Sequence, residues 1–161
     1  MHISNYRDLS SKTIVLGGDH HAQPIVDVIE QYLLSRNLQV ERVAFDDSCQ
    51  DYISQTVSVA EKVASDPKKY CGVIGCKNGF GVTTVANIYE NIFATRCDTP
   101  QQAIDARRVN YSNVLTFGAV FVDEITIKEI LDNWFDTEFD LDEKNLHRLQ
   151  RLFSLMKSQK S

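Results

Sequence analysis

Two short stretches carry residue types from which a catalyst could be built. Gly17-Gly18-Asp19-His20-His21 follows one apolar run, and Cys76-Lys77-Asn78-Gly79-Phe80-Gly81 follows another and leads into a helical pattern. A carboxylate beside an imidazole can pass a proton, and a thiol can serve as base or nucleophile. Glycines let backbone amides approach a ligand, and the start of a helix offers unpaired N–H groups and a positive dipole end to an oxyanion. Each feature also has an ordinary structural explanation. Asp19 could cap a helix beside a solvated His20, and Cys76 could be a small core residue, as Cys71 and Cys97 are expected to be. His21 and His147 find no partner in the sequence pattern and read as surface residues. Neither a G-x-G-x-x-G fingerprint after the first strand nor a G-x-x-x-x-G-K-[ST] loop occurs, which counts against nucleotide binding.

Such loops need strands and helices to aim them, and the hydrophobic pattern alternates between the two. Thr13-Ile14-Val15-Leu16, stopped by Gly17-Gly18, reads as a strand buried on both faces. After Pro24, Ile25, Val28, Ile29, Tyr32 and Leu33 share one face of a helix ending near Arg36-Asn37. Val40, Val43 and Phe45 suggest a second strand and 54–65 a helix; then come a strand at 71–75, a helix at 82–89, a strand at 92–97, a helix at 100–108 and a strand at 114–117. Amphipathic helices at 124–135 and about 142–157 complete the pattern. Strands separated by single helices imply an α/β fold: a single-domain, three-layer Rossmann-like or flavodoxin-like arrangement with a five-stranded parallel sheet and a C-terminal helix. Ligands in such folds sit beyond the carboxyl ends of the strands, where both loops lie. The domain is expected over 12–157, with a flexible extension at 1–11 and a tail at 158–161.

The 161 residues include 17 Lys+Arg and 22 Asp+Glu, a formal charge of -5. General attraction to nucleic acid or to an anionic membrane is therefore excluded, and any bound anion must be met by local groups. No apolar run approaches the roughly 18 residues of a spanning helix, and the first residues lack the apolar segment of a signal peptide, so a cytoplasmic location is expected. Cys49, Cys71, Cys76 and Cys97 form no CxxC pair and imply no disulfide framework. The four histidines are not spaced as metal ligands, and no metal or other cofactor is expected.

The Gly-x-Asp-His turn, the Asp51-Tyr52 pair, the Cys76-x-x-Gly79-x-Gly81 loop followed by Ala86-Asn87, and the stretch Asn110-x-x-Asn113-Val114-Leu115-x-Phe117-Gly118 together resemble the ribose-5-phosphate isomerase B and galactose-6-phosphate isomerase family, from about Lys12 to Arg148. The resemblance implies a metal-free aldose–ketose isomerase that moves a proton between adjacent carbons of a phosphorylated sugar through a cis-enediolate. Cys76 matches the family's catalytic cysteine. Asp19, counted with it as catalytic, and His20 match residues that hold the sugar and its phosphate. N–H groups of Lys77, Asn78, Gly79, Phe80 and Gly81 would hold the developing oxyanion, while Tyr52 and Asn110 match positions lining the same pocket. Lys144 and Arg148, one helical turn apart, are the nearest counterparts of a basic pair that reaches the phosphate in a neighbouring subunit, so a homodimer or higher oligomer is implied. Arg107 is a further candidate for the phosphate, because an acidic protein needs local cations.

The departures from the family pattern carry as much information. Val109 stands where ribose-5-phosphate isomerases of this type carry the histidine assigned to ring opening, and valine cannot transfer a proton. Lys77-Asn78 replace the usual Gly-Thr, and Ile88 replaces the usual lysine. The galactose-6-phosphate isomerase B subunit also has an apolar residue at the Val109 position. Two readings follow: an isomerase of ribose 5-phosphate or a related hexose 6-phosphate, and a non-catalytic or partner-dependent subunit that needs a histidine-bearing paralogue. A regulator that binds a sugar phosphate or a nucleotide is a weaker third.

Overall fold

A strand with five of six residues buried has to lie inside a sheet covered on both faces, and Thr13–Gly18 (β1) does. The computed structural model describes residues 8–158 and continues with α1 (Gln23–Ser35), β2 (Gln39–Arg42), α2 (Tyr52–Ser65), β3 (Tyr70–Cys76), α3 (Phe80–Ala86), β4 (Ala94–Arg96), α4 (Pro100–Arg108), β5 (Val114–Gly118), α5 (Glu124–Asp136) and α6 (Glu143–Ser158). The five strands form one parallel sheet in the order β2-β1-β3-β5-β4. The α/β architecture read from the alternation is therefore the one observed. From β1 the chain goes out to β2 at one edge and returns to β3 on the other side of β1. Strand order switches there, and a crevice opens beyond Gly18 and Cys76.

Helices α1, α4 and α5 cover one face, burying Leu33, Ala106, Leu131 and Trp134, and α2 and α3 cover the other with Val59, Val63, Val82 and Ala86. Their starts are capped as the sequence chemistry requires: Asp51, Thr99 and Asp123 each accept an N–H from the residue three positions on, and Pro24 and Pro100 sit in first turns. α6 lies over a separate cluster of Tyr111, Phe139 and Leu149, where Phe93 meets Tyr111 and Phe153 edge to face.

Several expected boundaries move. β2 stops at Arg42, leaving Val43 and Phe45 in a loop, although the Val43 N–H still donates to Leu16 O at 2.8 Å; the Arg42 side chain is held by Asp27 and Glu30 of α1 at 2.7 and 2.6 Å. The helix expected at 82–89 covers Phe80–Ala86 and is capped by Asn87. β4 is three residues rather than six. Leu9 is fully buried against the α1 and α5 cluster, and Lys12 is buried with its ammonium donating to Pro67 O at 2.6 Å. The boundary expected at residue 12 thus moves back at least to Leu9. Residues 1–7 of the expected extension and 159–161 of the expected tail lie outside the described residues. Among the described residues, no helix is long and apolar enough to cross a membrane.

Candidate active site

Asp19 directly follows β1 and turns its carboxylate back on the chain. Its Oδ1 accepts the N–H groups of His21 at 3.0 Å and Ala22 at 3.1 Å, and the residue is buried. These bonds close the turn before α1 rather than cap the helix, whose N-cap is Ala22 with no side-chain hydrogen bond, and they occupy only one oxygen of Asp19. Asp19 Oδ2 lies 3.5 Å from Nδ1 of His21, which gives His21 the partner the sequence pattern did not reveal. The His20 and His21 rings lie 3.9 Å apart between centroids, tilted by 40°. Among the described residues, Asp19, His20 and His21 also bring one carboxylate oxygen and two imidazole nitrogens within 4.8 Å of one another, a set that could hold a cation. Linear spacing of the histidines did not anticipate it.

Cys76 ends β3 and is buried at 4% exposure, with its Sγ accepting the N–H of Gly79 at 3.2 Å. An N–H aimed at sulfur is complementary to a thiolate. Gly79 makes this turn with φ +81°, where a side chain would be strained. The carbonyls of Cys76 and Lys77 accept N–H groups of Ala119 and Val120 at 2.9 and 3.1 Å, which fixes the loop to the end of β5. The N–H of Phe80 goes to Asn78 Oδ1 at 3.2 Å. Two of the five amides expected to meet an oxyanion, those of Gly79 and Phe80, are therefore already engaged inside the loop.

A cleft of about 670 Å³ joins the two loops, with Asp19, His20, His21, Tyr52, Cys76 and the 77–81 loop along its wall. Gly79 is absent from the lining and acts through the turn it makes. Tyr52 is the first residue of α2, positioned by the Asp51 cap; N–H and hydroxyl bonds from Ser54 hold the Asp51 carboxyl below its ordinary range. The Tyr52 ring lies across Gly81, where a Cβ would be 2.7 Å from Cε2. Gln55 is fully buried: its Oε1 accepts the N–H of Gly18 at 3.1 Å, while its amide donates to Ala44 O and Cys49 O. It ties the end of β1 to the loop before α2 and was missed in the sequence. A polar residue on the Val59 and Val63 face was the available signal. Arg96 was also missed; its guanidinium stacks 4.3 Å from the Phe80 ring and pairs with Asp98 at 2.5 Å.

Other expected site residues lie elsewhere. Arg107 is buried at 1% exposure, donating to Thr137 O and Ser112 O and lying 5.9 Å from the Trp134 ring. Burial pushes its guanidinium down to about 10. Arg107 is thus a structural cation and is withdrawn as a phosphate contact. Asn110 and Arg148 line a second cavity of about 340 Å³ together with Val109, Arg151 and the apolar face of α6. Lys144 is exposed and does not line it, whereas Arg151, one turn beyond Arg148, does. Within one chain the structure does not bring these residues to Cys76. Asn87 and Asn113 are fastenings: Asn87 exchanges two 2.9 Å hydrogen bonds with the backbone of Ala94, and Asn113 bonds Phe93 N and Asn91 O.

Residues 14–152 match the ribose/galactose isomerase family. The chain is 30% identical over 129 residues to the D-erythrulose-4-phosphate isomerase of Pectobacterium atrosepticum, covering 80% of this chain and 85% of that protein. It is 30% identical over 127 residues to the Arabidopsis thaliana DNA damage-repair/toleration protein DRT102, covering 78% of this chain but 40% of that one, so it spans about two fifths of that longer relative. The structure of Clostridium thermocellum ribose-5-phosphate isomerase B is similar with a TM-score of 0.84 at 26% identity, covering 91% of this chain and 99% of that one.

Proposed function

The chain belongs to the ribose/galactose isomerase family of sugar-phosphate isomerases, and we propose that Cys76 is the base of an aldose–ketose isomerisation that it carries out. The observation that supports this most is the placement of the Cys76 sulfur: at the switch point of the sheet, on a cleft shared with Asp19, His20 and Tyr52, and with the Gly79 N–H aimed at it. A thiolate there takes the proton from C2 of the open-chain aldose and returns it to C1. Meanwhile O1 gains a hydrogen and O2 loses one, so the sugar is isomerised with no net change in its atoms. The oxyanion of the enediolate needs donors, and the amides of Lys77, Asn78 and Gly81 are the loop's candidates, with Lys77 and the imidazoles supplying positive charge. Asp19 holds the turn that presents His20 to the sugar.

The phosphate end of the substrate fits the second cavity, contributed by another copy of the chain. Arg148 and Arg151 offer it guanidinium groups, Asn110 an amide, and exposed Val109, Leu152 and Leu155 an apolar surface that a neighbour would cover. A homodimer closed in this way builds two identical sites. The substrate is a phosphorylated aldose or ketose of four to six carbons, the range spanned by the relatives' names.

Purified protein is offered ribose 5-phosphate, allose 6-phosphate, galactose 6-phosphate and erythrulose 4-phosphate, and the isomer formed is read by NMR. Conversion of at least one sugar is expected; none converted by a folded oligomer overturns the enzyme reading. Val109, beside Asn110, is the observation behind a second reading, a subunit that acts only with a histidine-bearing partner. Activity that appears only on adding such a partner would select it.

A further inference from the structure

We propose that His21, backed by Asp19, is the acid–base catalyst that opens the sugar ring in the Cys76 cleft, a role that rests on the isomerase reading above. Aldopentose and aldohexose phosphates are almost entirely cyclic in water, whereas proton transfer from C2 requires the open aldehyde. Opening removes the proton from the anomeric hydroxyl O1, forms the C1=O1 bond as the bond from C1 to the ring oxygen breaks, and protonates that ring oxygen. A single imidazole can take the first proton and deliver it to the ring oxygen, ending as it began.

The second histidine of the turn is built for this in three ways. Its ring nitrogen Nδ1 faces a buried carboxylate oxygen at 3.5 Å, and a carboxylate on that side favours the tautomer with hydrogen on Nδ1 and a lone pair on Nε2. The other oxygen of the same carboxylate accepts the backbone N–H of His21 at 3.0 Å, so backbone and ring are held by one group. The His20 ring at 3.9 Å restricts rotation further. The His21 side chain is 42% exposed while that of Asp19 is 8% exposed, so the imidazole reaches the cleft from an anchored base. A solvated surface histidine would have neither the carboxylate nor the adjacent ring. Val109, in the other cavity, has no group that can transfer a proton.

Ring opening can be followed separately from isomerisation, because opening and reclosing interconverts the α and β anomers. The Cys76→Ala protein, which retains His21, is mixed with ribose 5-phosphate, and anomer exchange is measured by magnetisation-transfer NMR. Exchange at least about tenfold faster than in buffer is expected, returning to the buffer rate in Cys76→Ala/His21→Gln while calorimetry still detects bound sugar phosphate. In otherwise native protein, His21→Gln should lower kcat/KM for ribose 5-phosphate by about 10²-fold. Equal exchange with and without His21 overturns the proposal, as does failure of the Cys76→Ala protein to accelerate exchange. If the native enzyme still forms ribulose 5-phosphate in that case, the isomerase reading stands without His21; if the native enzyme converts no sugar phosphate, that reading fails first.

Discussion

Gly79→Ala perturbs the loop at its tightest point, and its effect can be worked out from the backbone. Gly79 has φ +81°, in the left-handed region, where an L side chain costs about 1–2 kcal/mol. A Cβ there would also lie 2.9 Å from the Phe117 carbonyl carbon and 3.0 Å from Cδ and Nε of Arg96. Arg96 can swing aside. Phe117 cannot, because its backbone belongs to β5 between two neighbouring strands. The loop must therefore shift, bringing the total to about 2–3 kcal/mol, or about 5–10 °C in Tm for a domain of this size. The same shift carries the Gly79 N–H away from Cys76 Sγ, now 3.2 Å distant, so kcat should fall by about tenfold or more while KM changes less. Gly81→Ala is the control, since its Cβ would meet the half-exposed Tyr52 ring, which can rotate. It should cost less in Tm and show mainly in KM. Circular-dichroism melts and steady-state kinetics on the three proteins provide the comparison. A Gly79→Ala protein with native Tm and kcat, or one that melts above Gly81→Ala, would refute the role given to this turn.

Arg107→Ala should destabilise by about 3 kcal/mol in urea melts, because the carbonyls of Ser112 and Thr137 lose a buried donor, while KM stays native; a raised KM at intact stability would restore Arg107 to the phosphate site. Arg148→Ala and Cys76→Ala proteins, each inactive alone, should regain part of the activity when mixed and reassembled, and no recovery from verified mixed dimers would place the whole site in one chain. Burial raises the Cys97 thiol from an ordinary value near 9 to about 12, so the unfolded chain loses its proton first, and stability present below pH 9 declines as pH rises toward 12. Cys97→Ala should remove about 1 kcal/mol from the stability lost between pH 8 and pH 10, and an unchanged slope in urea melts would show that this thiol does not control it.

The central strands were legible because β1, β3 and β5 are apolar on both faces and end at glycines or a cysteine, whatever surrounds them. The edge strands were legible but not their ends: β2 alternates half-buried with exposed residues and stops at Arg42, and β4 keeps only Ala94–Arg96, so the hydrophobic pattern carries little signal for where either one ends. The start of α3 depends on one left-handed glycine, a backbone property that carries no hydrophobic signal. At the site, Cys76 and Asp19 stood out as residue types able to do chemistry at the ends of strands that the hydrophobic pattern located. His21 was dismissed because its partner is reached through a turn rather than along a face. Arg107 was misjudged for the opposite reason: net charge called for a local cation, whereas Ala103 and Ala106 already marked its helix face as the buried one.

The decisive measurement is proton transfer by Cys76 itself, followed in D2O with ribose 5-phosphate or whichever sugar phosphate the panel identifies. The native protein should form the ketose with deuterium at C1, acquired from an exchanging thiol. The Cys76→Ala protein, shown to be folded and to bind the same sugar, should form it about 10²–10⁴-fold more slowly. Ketose formation by Cys76→Ala at the native rate would contradict the assignment of Cys76 as the base.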